Sequence, residues 1–198
     1  MLITKIVKQK HLNRYSIFIG NAYSFSLSER KLTDTRLHIG QNLTKSELAA
    51  LKLSSHKDKL TEQTYRYVSM RARTEGEVEE YLKRHHVEPT VRQTIIDRLK
   101  GIGLLDDRKY TELYIQNRQQ LKPSSRQRLI LELRKKHVPE KIISSELAKE
   151  QDSDATTLRT LIGQKRRQPR YKDDFRLMKF LARQGFHYED IKEALKSA

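Results

Sequence analysis

Three kinds of side chain in this sequence have the types and spacing to do chemistry: histidines, neighbouring carboxylates, and runs of lysine and arginine. His85-His86 and His137 are candidate metal ligands, because a neutral imidazole is a common donor. No H-x-x-x-H spacing occurs, however, and His86 and His137 each fall just past an expected helix end. The residue after a helix often takes positive φ, which glycine adopts best and histidine tolerates better than most. Both therefore read as helix-end residues rather than ligands. Asp106-Asp107, Asp173-Asp174 and the pair Asp152 and Asp154 each precede an expected helix. Acids there cap free N–H groups and oppose the helix dipole, which accounts for them better than acid–base catalysis does. No glycine-rich phosphate loop, G-x-S-x-G elbow or nuclease-like acid cluster occurs. The expectation is a protein that is not an enzyme and needs no cofactor or metal.

The basic runs carry more information. Arg126, Arg128, Arg134, Lys135 and Lys136 crowd one short helix and its end. Lys165, Arg166, Arg167, Arg170 and Lys172 form the densest run, beside Pro169. Arg71, Arg73, Lys83, Arg84 and Arg183 fall at comparable places elsewhere. Long basic side chains also cover apolar surface with their stems or pair with acids one helical turn away, as Arg128, Glu132 and Lys136 are spaced to do. Part of the excess is nevertheless expected to meet phosphate or acidic protein surface. Tyr81, Tyr110, Tyr114 and Tyr171 read as core or rim residues rather than a base-stacking platform, so backbone-tracking or protein-mediated binding fits better than base reading.

Two kinds of element must position these groups. Over the first 45 residues the apolar period is two. Tyr15, Ile17 and Ile19 alternate with their neighbours, as do Tyr23, Phe25 and Leu27, and Gly20-Asn21 lies between them. The apolar sets share a face if Ile19 opposes Tyr23, which implies a three-residue loop, Gly20-Asn21-Ala22. Residues 3–8 supply a candidate third strand, and so small a sheet must lean on a helix. From about Ser46 the period becomes helical, with prolines only at 89, 123, 139 and 169, all expected helix boundaries. Thr74-Glu75-Gly76-Glu77 resembles an N-cap with acids in the first turn, the capping box falling one register off.

The helical part repeats. Val78–Val87, Leu129–Val138 and Leu177–Phe186 superpose without gaps, at offsets of 51 and 48 residues. The columns read Val78, Leu129, Leu177, then Leu82, Leu133, Leu181, then Val87, Val138, Phe186. Each segment has an expected helix before it and another after it. The expected fold is mainly α: an elongated array of three tandem three-helix repeats, preceded by a small N-terminal antiparallel β-hairpin or sheet module. The boundaries are a β module at 1–45, a linking helix at 46–56, and repeats at 57–105, 106–150 and 151–198.

Composition agrees. Of 198 residues, 41 are Lys or Arg and 25 are Asp or Glu, a formal charge of +16 that implies an anionic partner. The four segments 1–56, 57–105, 106–150 and 151–198 carry net charges of +6, +2, +4 and +4, so the basic surface is distributed. Apolar residues make up 36%, low for a thick compact core but suited to stacked thin units. The absence of cysteine removes disulfides, thiolate metal sites and Cys nucleophiles. Lys5, Lys8 and Lys10 interrupt any leader-like apolar run, and no stretch is long enough to span a bilayer, so a cytoplasmic protein with no membrane partner is expected.

Three segments in order resemble signatures of the RecX family. They are Tyr67–Thr74 with Glu77, Gly103–Tyr110 with Tyr114 and Arg118, and Lys179–Phe186 with Tyr188–Ile191. The resemblance runs nearly end to end. It implies a non-catalytic regulator of the RecA recombinase that binds the RecA filament on single-stranded DNA, in its groove or at its growing end. Such a regulator mostly inhibits strand exchange, ATP hydrolysis and coprotease activity within DNA repair and the SOS response. It also implies possible direct DNA contact, and a monomer is expected. The family often has Gly near Lys122-Pro123 and Lys-Gly where Lys136-His137 stands, departures that bear on turn geometry. The alternative reading is a general nucleic-acid-binding helical protein, such as a helix-turn-helix-like regulator or an RNA binder.

Overall fold

The computed structural model describes residues 1–10, 13–149 and 153–196; Asp152 lies outside them. The chain divides into two compact units, Met1–Arg71 with Val87–Ile95, and Ala72–His86 with Ile96–Ala198.

In the first unit, β1 (Ile3–Lys8), β2 (Arg14–Ile19) and β3 (Ala22–Ser28) form an antiparallel sheet in the order β1-β2-β3. The hairpin differs from expectation at its tip. Ile19 pairs with Ala22 and Phe18 with Tyr23, so the loop has two residues, with Gly20 at φ 59°. A register shift between Ile17 and Phe18 then restores the expected pairing, Ile17 with Phe25 and Tyr15 with Leu27. The bulge does the re-phasing that the longer loop was expected to do. The inner face buries Ile3, Ile17, Phe25 and Leu27 together with Leu43. They pack on Leu32 of α1 (Glu29–Thr35) and on Leu48 and Leu51 of α2 (Lys45–Ser69).

Helix α2 is the element the sheet leans on. It starts at a full capping box, Thr44 with Glu47, and runs unbroken for 25 residues, so the expected boundary between 56 and 57 falls inside it. Residues on both sides of that point hold the sheet. Ser55 Oγ donates to the Ser26 carbonyl at 2.6 Å, and Asp58 accepts the Ser28 N–H at 2.8 Å. Arg14, only 3% exposed, is held by Asp58 and Glu62. A buried guanidinium is tolerable only when paired in this way.

In the second unit, α3 (Glu75–Arg84) is followed by the end of α4 (Pro89–Gly101), α5 (Asp107–Leu121), α6 (Arg126–Arg134) and α7 (Glu140–Lys149). Then come α8 (Asp154–Arg166), a 3-10 turn at Pro169–Tyr171, α9 (Asp174–Arg183) and α10 (Tyr188–Lys196). All nine residues of the three repeat columns are at most 5% exposed. Each of the later repeats has its own core, Ile115, Leu129, Leu133, Val138, Ile143 and Leu147 in one, Leu158, Leu161, Ile162, Leu177, Leu181, Phe186 and Ile191 in the other. His86, His137 and Gly185 take φ of 53°, 58° and 89°, the helix-end conformation expected of them. The capping box at Thr74 is in register after all. Its side chain accepts the Glu77 N–H at 3.1 Å, and the Glu77 carboxylate accepts the Thr74 N–H.

Successive repeats meet through the same joint twice. At the first, Thr74 Oγ1 donates to the Lys136 carbonyl, and the Glu75 N–H donates to Asp107 Oδ1 at 2.8 Å. At the second, the Ser125 N–H donates to the Gln184 carbonyl at 3.0 Å, and the Arg126 N–H to Asp154 Oδ1 at 2.8 Å. Each joint needs one glycine, on opposite sides. A Cβ on Gly76 would overlap His137 Cβ, and a Cβ on Gly185 would lie 2.8 Å from Arg128 Cβ. Among the described residues, no helix is long and apolar enough to cross a membrane.

Candidate nucleic-acid interface

The described acids among those singled out in the sequence sit where helices begin. Asp106 and Asp173 are N-caps, accepting the N–H groups of Lys109 and Arg176 at 3.0 and 2.8 Å. Asp107 and Asp154 serve the two joints, and Asp174 pairs with Arg166. Burial raises the Asp107 carboxyl above its ordinary range, against the lowering effect of the Glu75 N–H. Among the described residues, no group of three or more His, Asp or Glu side chains stands together to hold a metal ion.

The structure sorts the candidate cations into committed and open ones. In the second repeat nearly all are committed. Arg126 reaches the Leu147 carbonyl at 2.6 Å. Arg128 bonds Glu132 at 3.0 Å and also donates to the Arg183 carbonyl, which ties α6 to the third repeat. Lys136 pairs with Glu77 at 3.1 Å, and Arg134 holds Glu140 with two bonds of 2.9 and 2.8 Å. Lys135 is exposed and forms no ion pair among the described residues. In α3, Lys83 meets Glu79 at 3.5 Å and Arg84 lies against the Glu80 carbonyl. Arg71 is exposed and Arg73 half-buried.

Glu132 is the hub of the second repeat. Its oxygens take Arg128, Arg118 at 2.9 Å and the Tyr114 hydroxyl at 2.9 Å. Burial alone would raise its carboxyl, but the hydrogen bonds from Arg128 and Tyr114 and the charges of Arg118 and Arg128 outweigh it and hold it low. Burial and the same carboxylate push the Tyr114 hydroxyl up to about 12.

The third repeat is arranged differently. Arg166 is committed to Asp174 and to the Lys172 carbonyl. Arg167 is exposed, with no acid partner among the described residues. Lys165 has no acid either, and its ammonium lies over two rings, 4.9 Å from Phe180 and 5.6 Å from Tyr171. Arg170 lies 5.9 Å from the Tyr171 ring. A notch of about 160 Å³ is lined by Arg170, Tyr171, Arg176, Lys179, Phe180 and Arg183. It brings together Arg170 and Arg183, both read from the sequence, with Arg176 and Lys179, which the basic-run reading passed over. The i, i+3, i+7 spacing of Arg176, Lys179 and Arg183 was the available signal. The two rings pack at 5.3 Å on the repeat's core, so the notch has a fixed aromatic floor.

Fold and site together define a tandem three-helix repeat protein, with a small sheet ahead of the repeats in the chain and an open cluster of cations on the third repeat. Residues 1–44 match the regulatory protein RecX N-terminal domain, 62–99 the first RecX three-helix domain and 106–147 the second. The regulatory protein RecX of Lacticaseibacillus paracasei is 32% identical over 198 residues, covering 98% of this chain and 82% of the relative. That of Lactobacillus delbrueckii subsp. bulgaricus is 28% identical, covering 93% of this chain and 70% of the relative. A crystal structure of regulatory protein RecX superposes with a TM-score of 0.69 at 25% identity, covering all of this chain and 99% of the other. RecX from Lactobacillus salivarius shares the fold, with a TM-score of 0.58 at 20% identity over 71% of this chain and 95% of the other. The chain belongs to the RecX family.

Proposed function

We propose that this protein is a non-catalytic regulator of the RecA recombinase, which binds the RecA filament on single-stranded DNA, in its groove or at its growing end. It inhibits strand exchange, ATP hydrolysis and coprotease activity, and so acts in DNA repair and the SOS response. It works in the cytoplasm as a monomer. The observation that carries this reading is family membership from the N-terminal sheet through the helical repeats. The distribution of open cations supports it. Lys135, Lys165, Arg167, Arg170 and Arg183 are available to phosphate or an acidic protein surface, whereas Arg126 is tied within the second repeat and Arg128 and Lys136 reach across to its neighbours.

The test is recombinase ATPase and strand exchange with and without this protein. Both fall as it approaches stoichiometry with the recombinase; unchanged rates at equal amounts overturn the reading. Affinity for recombinase-coated strands exceeds that for bare strands. The reverse order, with steep salt dependence on bare DNA or RNA, would make the chain a general nucleic-acid binder instead.

A further inference from the structure

The repeat alignment explains why the third repeat's cations are open. At the 48-residue offset Glu132 of α6 corresponds to Phe180 of α9, and Arg128 to Arg176. The first helices start at Asp107 and Asp154, which makes Lys165 the counterpart of Arg118. In the second repeat those two cations close on a carboxylate. In the third the carboxylate has become a phenyl ring. Lys165 rests on its face, and Arg176, exposed, forms no ion pair among the described residues. The two acids next to this place in sequence are both occupied, Asp173 in capping α9 and Asp174 by Arg166.

We propose that the notch of the third repeat is a subsite for one nucleotide of a single nucleic-acid strand. Arg176, Lys179 and Arg183 hold successive phosphates of that strand, and the nucleotide's base stacks at the Tyr171 edge of the aromatic floor, beside Arg170. The size fits: about 160 Å³ is roughly half the smallest usual small-molecule pocket and suits one flat base. The chemistry fits too. An acidic peptide needs only the cations, whereas a nucleotide also uses the aromatic face and the guanidinium planes. Arg176, Lys179 and Arg183 lie along one face of α9, where residues three and four apart stand about 5–6 Å from each other, so they follow a strand's backbone rather than converge on one point. Lys179 also lies 4.2 Å from the ring of Phe175, which is 64% exposed and extends the same surface. The subsite rests on the regulator reading for its surface alone, and the experiment omits the recombinase so that either can fail without the other.

The experiment is fluorescence anisotropy with a labelled oligo-dT strand, using the whole chain and no recombinase, at several salt concentrations. The variant Arg176→Gln/Lys179→Gln/Arg183→Gln weakens binding by about tenfold or more and lowers the salt slope by about 2, the value for three lost phosphate contacts on a single strand. Tyr171→Leu keeps the apolar volume and removes the stacking face, and weakens binding by about fivefold or more. Arg134→Ala, whose charge is already committed to Glu140, changes neither. Irradiating the wild-type chain on a 5-bromouracil-substituted strand places a covalent adduct on Tyr171, a readout that needs no variant to fold. Wild-type affinity in the triple variant overturns the subsite, as does an adduct found only on other repeats. Loss with the triple variant but not with Tyr171→Leu also overturns it, leaving a plain anion patch.

Discussion

In the second repeat Arg118 and Arg128 close on Glu132; in the third, Lys165 and Arg176 stand in the same places around Phe180. The backbone plan is shared, down to the buried columns and the positive-φ residue after the middle helix. At this one place an acid-to-aromatic difference separates two cations closed on a carboxylate from two left open. Net charge does not reveal this, because segments 106–150 and 151–198 both carry +4. In this molecule the place of the acids, more than the number of bases, decides which surface can hold an anion.

The largest effect is expected from breaking the hub. Glu132→Ala leaves Arg118, 16% exposed, and Arg128, 35% exposed, without their shared carboxylate. Removing one partner of a largely buried ion network costs about 2–4 kcal/mol, because the remaining charges stay desolvated. Urea unfolding should show a loss of that size, and a loss under about 1 kcal/mol would mean that the hub adds little to holding the repeat. Phe180→Glu makes the converse change: Lys165 and Arg176 gain a carboxylate, and oligo-dT affinity falls without any cation being removed.

Next come the joints, which carry their glycines on opposite sides. Gly76→Ala drives a methyl group into His137, and overpacking of this kind costs about 1–3 kcal/mol despite alanine's better helix propensity. Adding His137→Gly removes the opposing Cβ, and glycine suits the φ of 58° there, so the double variant regains most of the loss. Gly185→Ala meets both the contact with Arg128 and a φ of 89°, so it costs more than Gly76→Ala and has no single-residue rescue. Additive losses in Gly76→Ala/His137→Gly, measured by urea midpoints, would refute the shared-joint geometry.

The nine column residues were legible because burial follows helical periodicity, and His86 and His137 because a helix-end residue must take a conformation few side chains tolerate. The hairpin tip was not, since a bulge between Ile17 and Phe18 leaves no mark in apolar alternation. The unbroken course of α2 was not legible as one element, because a boundary between a linking helix and the first repeat was expected at 56/57, whereas Ser55 and Asp58, on either side of it, both hold the sheet. The sorting of the cations was least legible. Glu132 reaches Arg118 14 residues away and Glu77 reaches Lys136 59 residues away, so committed and open charges look alike along the chain.

A smaller effect separates the buried Asp107 from the half-buried Glu132 by pH. Glu132 is held below its ordinary 4.5, so its stabilisation is complete above that value and is lost as pH falls through the folded-state value. Asp107 is raised above its ordinary 3.8, so its contribution is complete below 3.8 and is lost as pH rises through the folded-state value. Asp107→Asn keeps an oxygen for the Glu75 N–H and never ionises. Its stability relative to wild type therefore improves as pH climbs above 3.8, whereas that of Glu132→Gln worsens as pH climbs through the range just below 4.5. Parallel trends for the two variants would contradict the assignment of burial at one site and ion pairing at the other.

The smallest effect is expected at Arg134. Its two bonds to Glu140 are as short as those at the hub, yet both side chains are more than half exposed. In water the pair gains little over two separately hydrated charges, and salt screens what remains. Arg134→Ala should leave the urea midpoint indistinguishable from wild type in physiological salt, although the same pair holds the Glu140 carboxyl low. Bond length is then no guide to stability in this protein, and desolvation is. A loss at Arg134 comparable to that at Glu132 would erase the distinction between a hub that holds a repeat together and an ion pair that merely decorates it.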